Sequence, residues 1–504
     1  MATKNYLPLD RVIMKMTGRF ISMLTICLAS FATSFKFTML MGPKAPMVPK
    51  IISSVPKFDV RASLQRVNSL GAAGFLGGLF ANDGSRKIAN AVGGVAQPTN
   101  AVVKNVDGIA HKRLGGGDII VSELGLGTQR WVSDDFNAPD EKLCMDFMDR
   151  AILQSGVNFI DTAESYPIPS SQKNPEGKVE QVIGKWIAQG SGRRQKVVIS
   201  TKITGGRNVN RKNIFADIEG SLKRLGTDYI DVYSLHWPAR YSPQANWGQS
   251  LQYNHETEKY YESNAGFEEI ALAMGDLIKQ GKIRGWGLCN DNAFGLTACC
   301  EISKRLGVPS PVSMQNDYSL IDRRAEENGV SEASSPIHEN VGFMAYNALA
   351  GGVLAGTYLT GLPPTYDNSN FASSMVTRNA PRGRHDEAGW GRSLYRYRSG
   401  PANEATVAYS KLATQYGIPF VELSLRWTQS RRAVTTTLLG MTSMNQLNQD
   451  IQIFQNGNNK SKLLPDQLLW DIDRIHMRNR LPIFASTRVG KDWNGEGEIG
   501  ENIP

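Results

Sequence analysis

The sequence is poor in the residues that build common metal and redox centres. Its 504 residues hold five cysteines, at Cys27, Cys144, Cys289, Cys299 and Cys300, and six histidines. No CxxC pair and no Cys/His set at ligand spacing occurs, so zinc modules and thioredoxin-type motifs are excluded and no metal site is expected. The thiols read as reduced and partly buried, in a chain that is not secreted. No GxGxxG follows a first strand, which removes the fingerprint of a dinucleotide-binding doubly wound sheet. The uncharged stretch at residues 20–35 is too short and too rich in Ser and Thr for a membrane span, so no stable membrane insertion of the mature domain is expected.

Acidic residues are scarce in one place only. Residues 1–113 carry 15 Lys and Arg against 4 Asp and Glu, while the rest of the chain holds 41 against 43. The net charge of +9 therefore belongs to the front of the chain. A nucleic-acid footprint would place a basic patch or stripe on the folded domain. None is present there, and nucleic acid is excluded as a partner.

The front end reads as an address. Lys4, Arg11, Lys15 and Arg19 precede FISMLTICLASFATSF, and small residues follow near Ala29 and Ser30. That describes a signal-like segment over residues 1–35. Residues 36–106 are rich in Ala, Ser, Gly and basic residues, with Asp59 and Asp83 the only acids, which describes a transit peptide. The combination, broken at LAS-FATSF, resembles the bipartite leaders of proteins sent to secondary plastids. A plastid is thus the expected location, with another organelle or the cytoplasm as the alternative. A disordered or membrane-anchoring tail is the other reading of the segment, and GAAGFLGGLF at 71–80 fits a short membrane-surface stretch.

From residue 112 the pattern becomes regular. HKRLGGGDIIVSELGLGT predicts a hairpin and then a strand. Short apolar runs follow (VNFID, KVVISTK, YIDVYSLHW, IRGWGLCN, PVSMQN, VGFMAYNAL and AVTTTLLG), separated by segments at helical period. Counting ELGLG there are eight strands, nearly all followed by a helix. Such alternation implies a parallel sheet covered on both faces, and eight units imply a closed (β/α)8 TIM barrel over residues 107–485, with a tail at 486–504. An open doubly wound sheet is the alternative fold. Two long stretches, 238–265 and 361–402, interrupt the alternation. They are expected at the C-terminal face, where long loops shape a substrate site.

In such barrels the chemistry sits where strands end at that face. Those positions hold Asp161, with Tyr166 on its loop, then Lys202 and His236. Taken singly, each has a plain reading: a cap, a packed ring, a solvated strand end, a satisfied core histidine. Together they suit general acid catalysis. A phenol donates its proton poorly at its ordinary pKa of ~10. A nearby ammonium is expected to lower that value, and a carboxylate to hold the ammonium in place. A neutral imidazole can donate a hydrogen bond to a carbonyl oxygen.

Beside these residues, VSELGLGT, GVNFIDTAESYP, VVISTK, HWP, QGKIRGWGLCN, MQNDYSLIDR, LAGGVLAGTYL and TLLGMTSMNQL resemble, in order, the aldo-keto reductase superfamily and its Tas-like branch. The likeness spans roughly residues 112–480. It implies a catalytic tetrad of Asp161, Tyr166, Lys202 and His236. It also implies an extended NADP(H), with NAD(H) as the alternative, lying across the barrel mouth. Cys289, Asn290 and Gln315 would then hold the nicotinamide carboxamide, and Tyr346 would stack on its ring. Leu349 and Gly351 would flank the pyrophosphate, and Gly440, Thr442 and Gln446 would hold the adenosine end.

Three features depart from the family pattern. Cys289 replaces the usual serine, Asp450 stands where an asparagine commonly contacts adenine, and no Lys or Arg lies between Gly440 and Lys460. The activity implied is reduction of the aldehyde or ketone carbonyl of a small-molecule substrate, and the aromatics and arginines of the two long stretches suit a sizeable or acidic one. The alternative is a nucleotide-sensing regulatory subunit resembling the β-subunits of potassium channels. A barrel enzyme of other chemistry, such as an isomerase, would bind no nicotinamide.

Overall fold

A computed structural model describes residues 97–240, 242, 266–359, 383–386, 394–457 and 463–480. The signal-like segment, nearly all of the transit-like leader and the tail at 486–504 lie outside the described residues. So do most of the 238–265 stretch and the larger part of 361–402.

The short apolar runs become eight parallel strands: β4 (Leu124–Gly127), β5 (Phe159–Asp161), β6 (Val198–Ile203), β7 (Ile230–Leu235), β8 (Ile283–Cys289), β9 (Ser313–Asp317), β10 (Gly342–Tyr346) and β11 (Val434–Leu439). They close into a barrel in which β11 pairs with β4. Before them comes an antiparallel sheet of β1 (Val102–Val106), β2 (Ile109–Arg113) and β3 (Ile120–Ser122). The predicted hairpin is β2–β3. Strand β1 was not predicted, and it corrects the domain start at 107: Val106 already pairs with Ile109.

Helices fill the spaces between strands. In chain order they are α1 (Glu141–Met148), α2 (Lys178–Ala188), α3 (Arg211–Leu225), α4 (Phe267–Lys279), α5 (Ala293–Leu306), α6 (Arg324–Glu327), α7 (Val330–Ser334), α8 (Gly400–Gln415), α9 (Phe420–Ser430), α10 (Met444–Gly457) and α11 (Asp466–Arg478). Local chemistry sets their ends. Asp140 caps α1 by accepting from the Leu143 amide at 2.8 Å. Asn292 caps α5, which stops at Gly307 in the left-handed conformation at φ 67°. After α1 the chain widens at Met148 into a π turn over Asp149–Leu153. No described helix is long and apolar enough to cross a membrane.

The period of two along each strand sorts the side chains. Ile160, Ile199 and Tyr233 face the helices, in the large core between strands and helices. Phe159, Val198 and Val232 face inward, where they pack with Met344 and Leu438 on Leu114, Ile119 and Val121 of the hairpin region. The hairpin thus plugs the bottom of the barrel. At Gly342 an added Cβ would stand 2.4 Å from Leu114 Cδ1, so that strand must carry a glycine for the plug to seat.

Candidate active site

The same inward columns, continued toward the strand ends, become polar. Two residues beyond Phe159 lies Asp161; Val198 leads to Ser200 and Lys202; Val232 leads to Ser234 and His236. Lys202 is completely buried and Asp161 nearly so. The Lys202 ammonium donates to Asp161 Oδ2 at 2.6 Å and to the Thr162 carbonyl at 2.8 Å. The other oxygen, Asp161 Oδ1, accepts from Ser200 Oγ at 3.1 Å and Gln315 Nε2 at 2.9 Å. Both carboxylate oxygens and two of the three ammonium donors are thus engaged, which is how such a buried pair is tolerated.

Above it the strand ends open into a cavity of about 590 Å³. All the other predicted site residues line it: Asp161, Tyr166, His236, Cys289, Asn290, Gln315, Tyr346, Leu349, Gly351, Gly440, Thr442 and Gln446. Lys202 alone lies behind the wall. The Tyr166 and His236 rings meet edge to face with centroids 5.6 Å apart. Lys202 Nζ stands 5.3 Å from the Tyr166 ring centre. Neither the Tyr166 hydroxyl nor the His236 ring has a hydrogen-bond partner among the described residues, and both face the cavity.

Burial governs the protonation states. His236 is held down to about 3 by desolvation, with help from the Lys202 charge, so its ring is neutral at physiological pH. The Tyr166 phenol lies well above its ordinary value, first through burial, then through the negative field of Asp161; Arg384 offsets part of this. The lowered phenol expected from the nearby ammonium is thus corrected. Lys202 points its donors at Asp161 and Thr162, and its charge is balanced there before it reaches the phenol. Cys289 is pushed up to about 12 by burial and remains a thiol.

A polar chain continues from the pair along one wall. Gln315 Oε1 accepts from Cys289 Sγ at 3.4 Å. Asn290 Nδ2 donates to the His236 carbonyl at 3.0 Å and lies 3.3 Å from Cys289 Sγ, and Asn290 Oδ1 accepts from Tyr346 Oη at 2.5 Å. Asn290 adopts φ 57°, a conformation that asparagine tolerates better than most residues. Next along the wall the chain turns at Gly351 and Gly352, both at positive φ. A Cβ on Gly351 would meet His385 Nε2 at 2.9 Å. At the far end the Thr442 amide donates to Gln446 Oε1 at 2.8 Å, tying those two residues together.

Several residues of the site were not predicted, Ser200 behind the wall and others on the lining. Ser200 was missed although it lies two residues before Lys202, on the same face of β6; that periodicity was the available signal. From the 361–402 stretch, Gly383, Arg384, Leu394 and Arg396 reach the cavity. Arg384 donates to Gln129 Oε1 at 3.0 Å, while Arg396 is buried against Asp317 and Tyr397. No periodic signal marks residues that arrive from a loop.

The family model described as "Aldo/keto reductase family" matches residues 123–462. "Protein tas" of Escherichia coli (strain K12) is 30% identical over 377 residues, 73% of this chain and 97% of that protein. An "Aldo-keto reductase" of Babesia bovis is 33% identical over 303 residues, 57% of this chain and 98% of that protein. A "Probable voltage-gated potassium channel subunit beta" of Oryza sativa subsp. japonica is 26% identical over 343 residues, 67% of this chain and 88% of that protein. The chain belongs to the aldo/keto reductase family of nicotinamide-dependent oxidoreductases.

Proposed function

We propose that this chain is an NADP(H)-dependent reductase of aldehyde or ketone carbonyls, with Tyr166 as the proton donor. One observation carries the reading. The Tyr166 hydroxyl and the neutral His236 ring open together into the cavity, beside the buried Lys202–Asp161 pair.

The wall residues fit a nicotinamide dinucleotide. Asn290 and Gln315 bring amide groups to one region of the cavity, with the Tyr346 ring nearby. The Gly351–Gly352 turn lets backbone approach a ligand closely, and Thr442 and Gln446 close the far end. When bound, the reduced nicotinamide supplies a hydride to the carbonyl carbon. The protein supplies the rest. His236 donates a hydrogen bond that holds the carbonyl oxygen. Tyr166 gives its proton to that oxygen as it gains negative charge. The raised phenol keeps its proton across the physiological range, and an alkoxide is a far stronger base than a phenolate, so the transfer runs downhill. Lys202 and Asp161 fix the ring's surroundings and keep water from the back wall.

The test is fluorescence titration of the full chain with NADPH and NADH, followed by turnover on a panel of aldehydes, quinones and ketones. Tyr166→Phe should bind the nucleotide within about twofold of wild type and lose roughly 10²–10⁴ in turnover. Tight binding with no turnover on any carbonyl would favour a nucleotide-sensing subunit, in which Tyr166→Phe is silent. Binding of neither nucleotide would end both readings.

A further inference from the structure

Helix α11 is held firmly on one side and bare on the other. On its inner side Leu468, Ile472 and His476 are buried. Polar ties reinforce that side: Arg323 donates to Asp473 at 2.6 Å, His476 Nε2 meets Glu327 Oε1 at 2.7 Å, and Tyr416 donates to Asp471 at 3.0 Å. On the outer side Trp470 and Met477 are each 56% exposed. They stand seven residues apart, two turns of helix, and so lie in one row. Leu463, just ahead of the helix, is 60% exposed. The barrel uses none of these three.

The charges on the outer side are arranged about Trp470. Asp466 and Arg474 are its neighbours four residues before and four after, one on each flank of the row. Asp466 is exposed and makes no hydrogen bond or ion pair among the described residues. The Arg474 side chain is 62% exposed and reaches only Asp471 of its own helix, at 3.6 Å. Beyond it Arg478 and Arg480 are exposed as well. The outer face is therefore acidic at its start, basic at its end and aromatic in the middle.

We propose that this face is the interface of a homodimer, in which two copies of α11 pack antiparallel about a two-fold axis at Trp470. A two-fold interface uses the same patch on both copies, so the patch must complement itself. This one does. The antiparallel pair sets tryptophan on tryptophan at the axis. About 6 Å to either side it brings Arg474 of one copy level with Asp466 of the other, so the match occurs twice. Met477 of each copy reaches the end where the other exposes Leu463. A parallel pair would set acid on acid and arginine on arginine. Antiparallel packing also aligns the two helix dipoles favourably. Because the inner side is already fixed, little order is lost on association, and an exposed tryptophan on a rigid helix is the kind of residue that dominates an interface. One helix of 13 residues covers less than the roughly 800 Å² per partner of a standard interface. The dimer is accordingly a reversible one, with a dissociation constant on the order of micromolar.

The experiment is sedimentation equilibrium of the full chain from about 1 to about 200 μM. The variants are Trp470→Glu, Asp466→Arg, Arg474→Glu and the double exchange Asp466→Arg with Arg474→Glu. All three positions are exposed, so the buried core is untouched, and circular dichroism checks that each variant is folded. Wild type should pass from monomer to dimer across this range. Trp470→Glu should weaken the dimer at least about thirtyfold, the loss of a central anchor. Each single charge reversal should weaken it about threefold or more, and the double exchange should return it to within about threefold of wild type. A wild type that stays monomeric overturns the inference, and the row is then covered by something other than a second copy. A dimer that Trp470→Glu leaves unchanged overturns it too, since association then runs through another part of the chain. A double exchange no tighter than the single reversals overturns the antiparallel register.

Discussion

The two ends of the barrel interior are built from the same strands and do opposite things. At the bottom, Phe159, Val198 and Val232 pack on Leu114, Ile119 and Val121 of the hairpin plug. Two to four residues further along the same inward columns stand Asp161, Lys202 and His236. At ~3.3 Å per residue that is a change from dry core to reactive cavity within about 7–13 Å. The plug needs only shape and apolar area. The upper end needs every charge matched, and the Lys202–Asp161 pair shows this: each oxygen of the carboxylate is occupied. Sealing one end with hydrocarbon leaves the other free to carry buried charge.

Breaking the upper end should therefore hurt twice. Lys202→Met removes the cation and leaves Asp161 buried among Ser200 and Gln315 without its countercharge. Removing one partner of such a pair costs about 3–5 kcal/mol. Both turnover and the denaturation midpoint should drop, the first by orders of magnitude. Replacing both partners, as in Lys202→Met with Asp161→Leu, should recover much of the stability and none of the turnover. Chemical denaturation and steady-state rates on the same preparations separate the two effects. If the single variant kept wild-type stability, the pair would not be the buried charge network described above.

Breaking the lower end should hurt once. Leu114→Ala opens a cavity under the barrel, at a cost of about 2–5 kcal/mol. Nucleotide affinity and turnover should stay within about threefold of wild type at temperatures where the variant is folded. A large fall in turnover there would mean that the two ends are mechanically coupled, and the division of labour would fail.

The same comparison explains what could be read from the sequence. Asp161, Lys202 and His236 were legible because each is a polar residue closing an apolar run, and strand ends are the one place where that pattern points to chemistry. The eight-strand count was legible for the same reason. Strand β1 was not: VVKNV is largely exposed and shows no alternation, and its place depends on pairing with β2. Helix α11 was missed because only Leu468, Ile472 and His476 are buried, while Trp470 and Met477 of the same segment are exposed and blur the apolar face. The bond from Gln315 to Asp161 joins residues 154 positions apart, and no local pattern carries it. The ionisation of Tyr166 went the wrong way for a related reason. Sequence shows which charges are near, whereas burial, the larger influence, exists only once the chain is folded.

The smallest expected effect lies on the wall between the reactive centre and the far end. Cys289 bridges the Gln315 carbonyl oxygen and Asn290 Nδ2 at 3.4 Å and 3.3 Å, distances that suit a large, weakly hydrogen-bonding sulfur. Cys289→Ser brings a shorter, stronger hydroxyl donor to the same place. It should tighten nucleotide binding by no more than about tenfold, the range of one added neutral hydrogen bond at about 0.5–1.5 kcal/mol. Turnover with saturating nucleotide should barely change, since Cys289 touches neither Tyr166 nor His236 through a hydrogen bond. Titration of both variants with the same nucleotide reads the difference directly. A weakening instead of a tightening would mean that the wall is fitted to the volume of sulfur rather than to its polarity, and Cys289 would then belong with the packed core of the lower end.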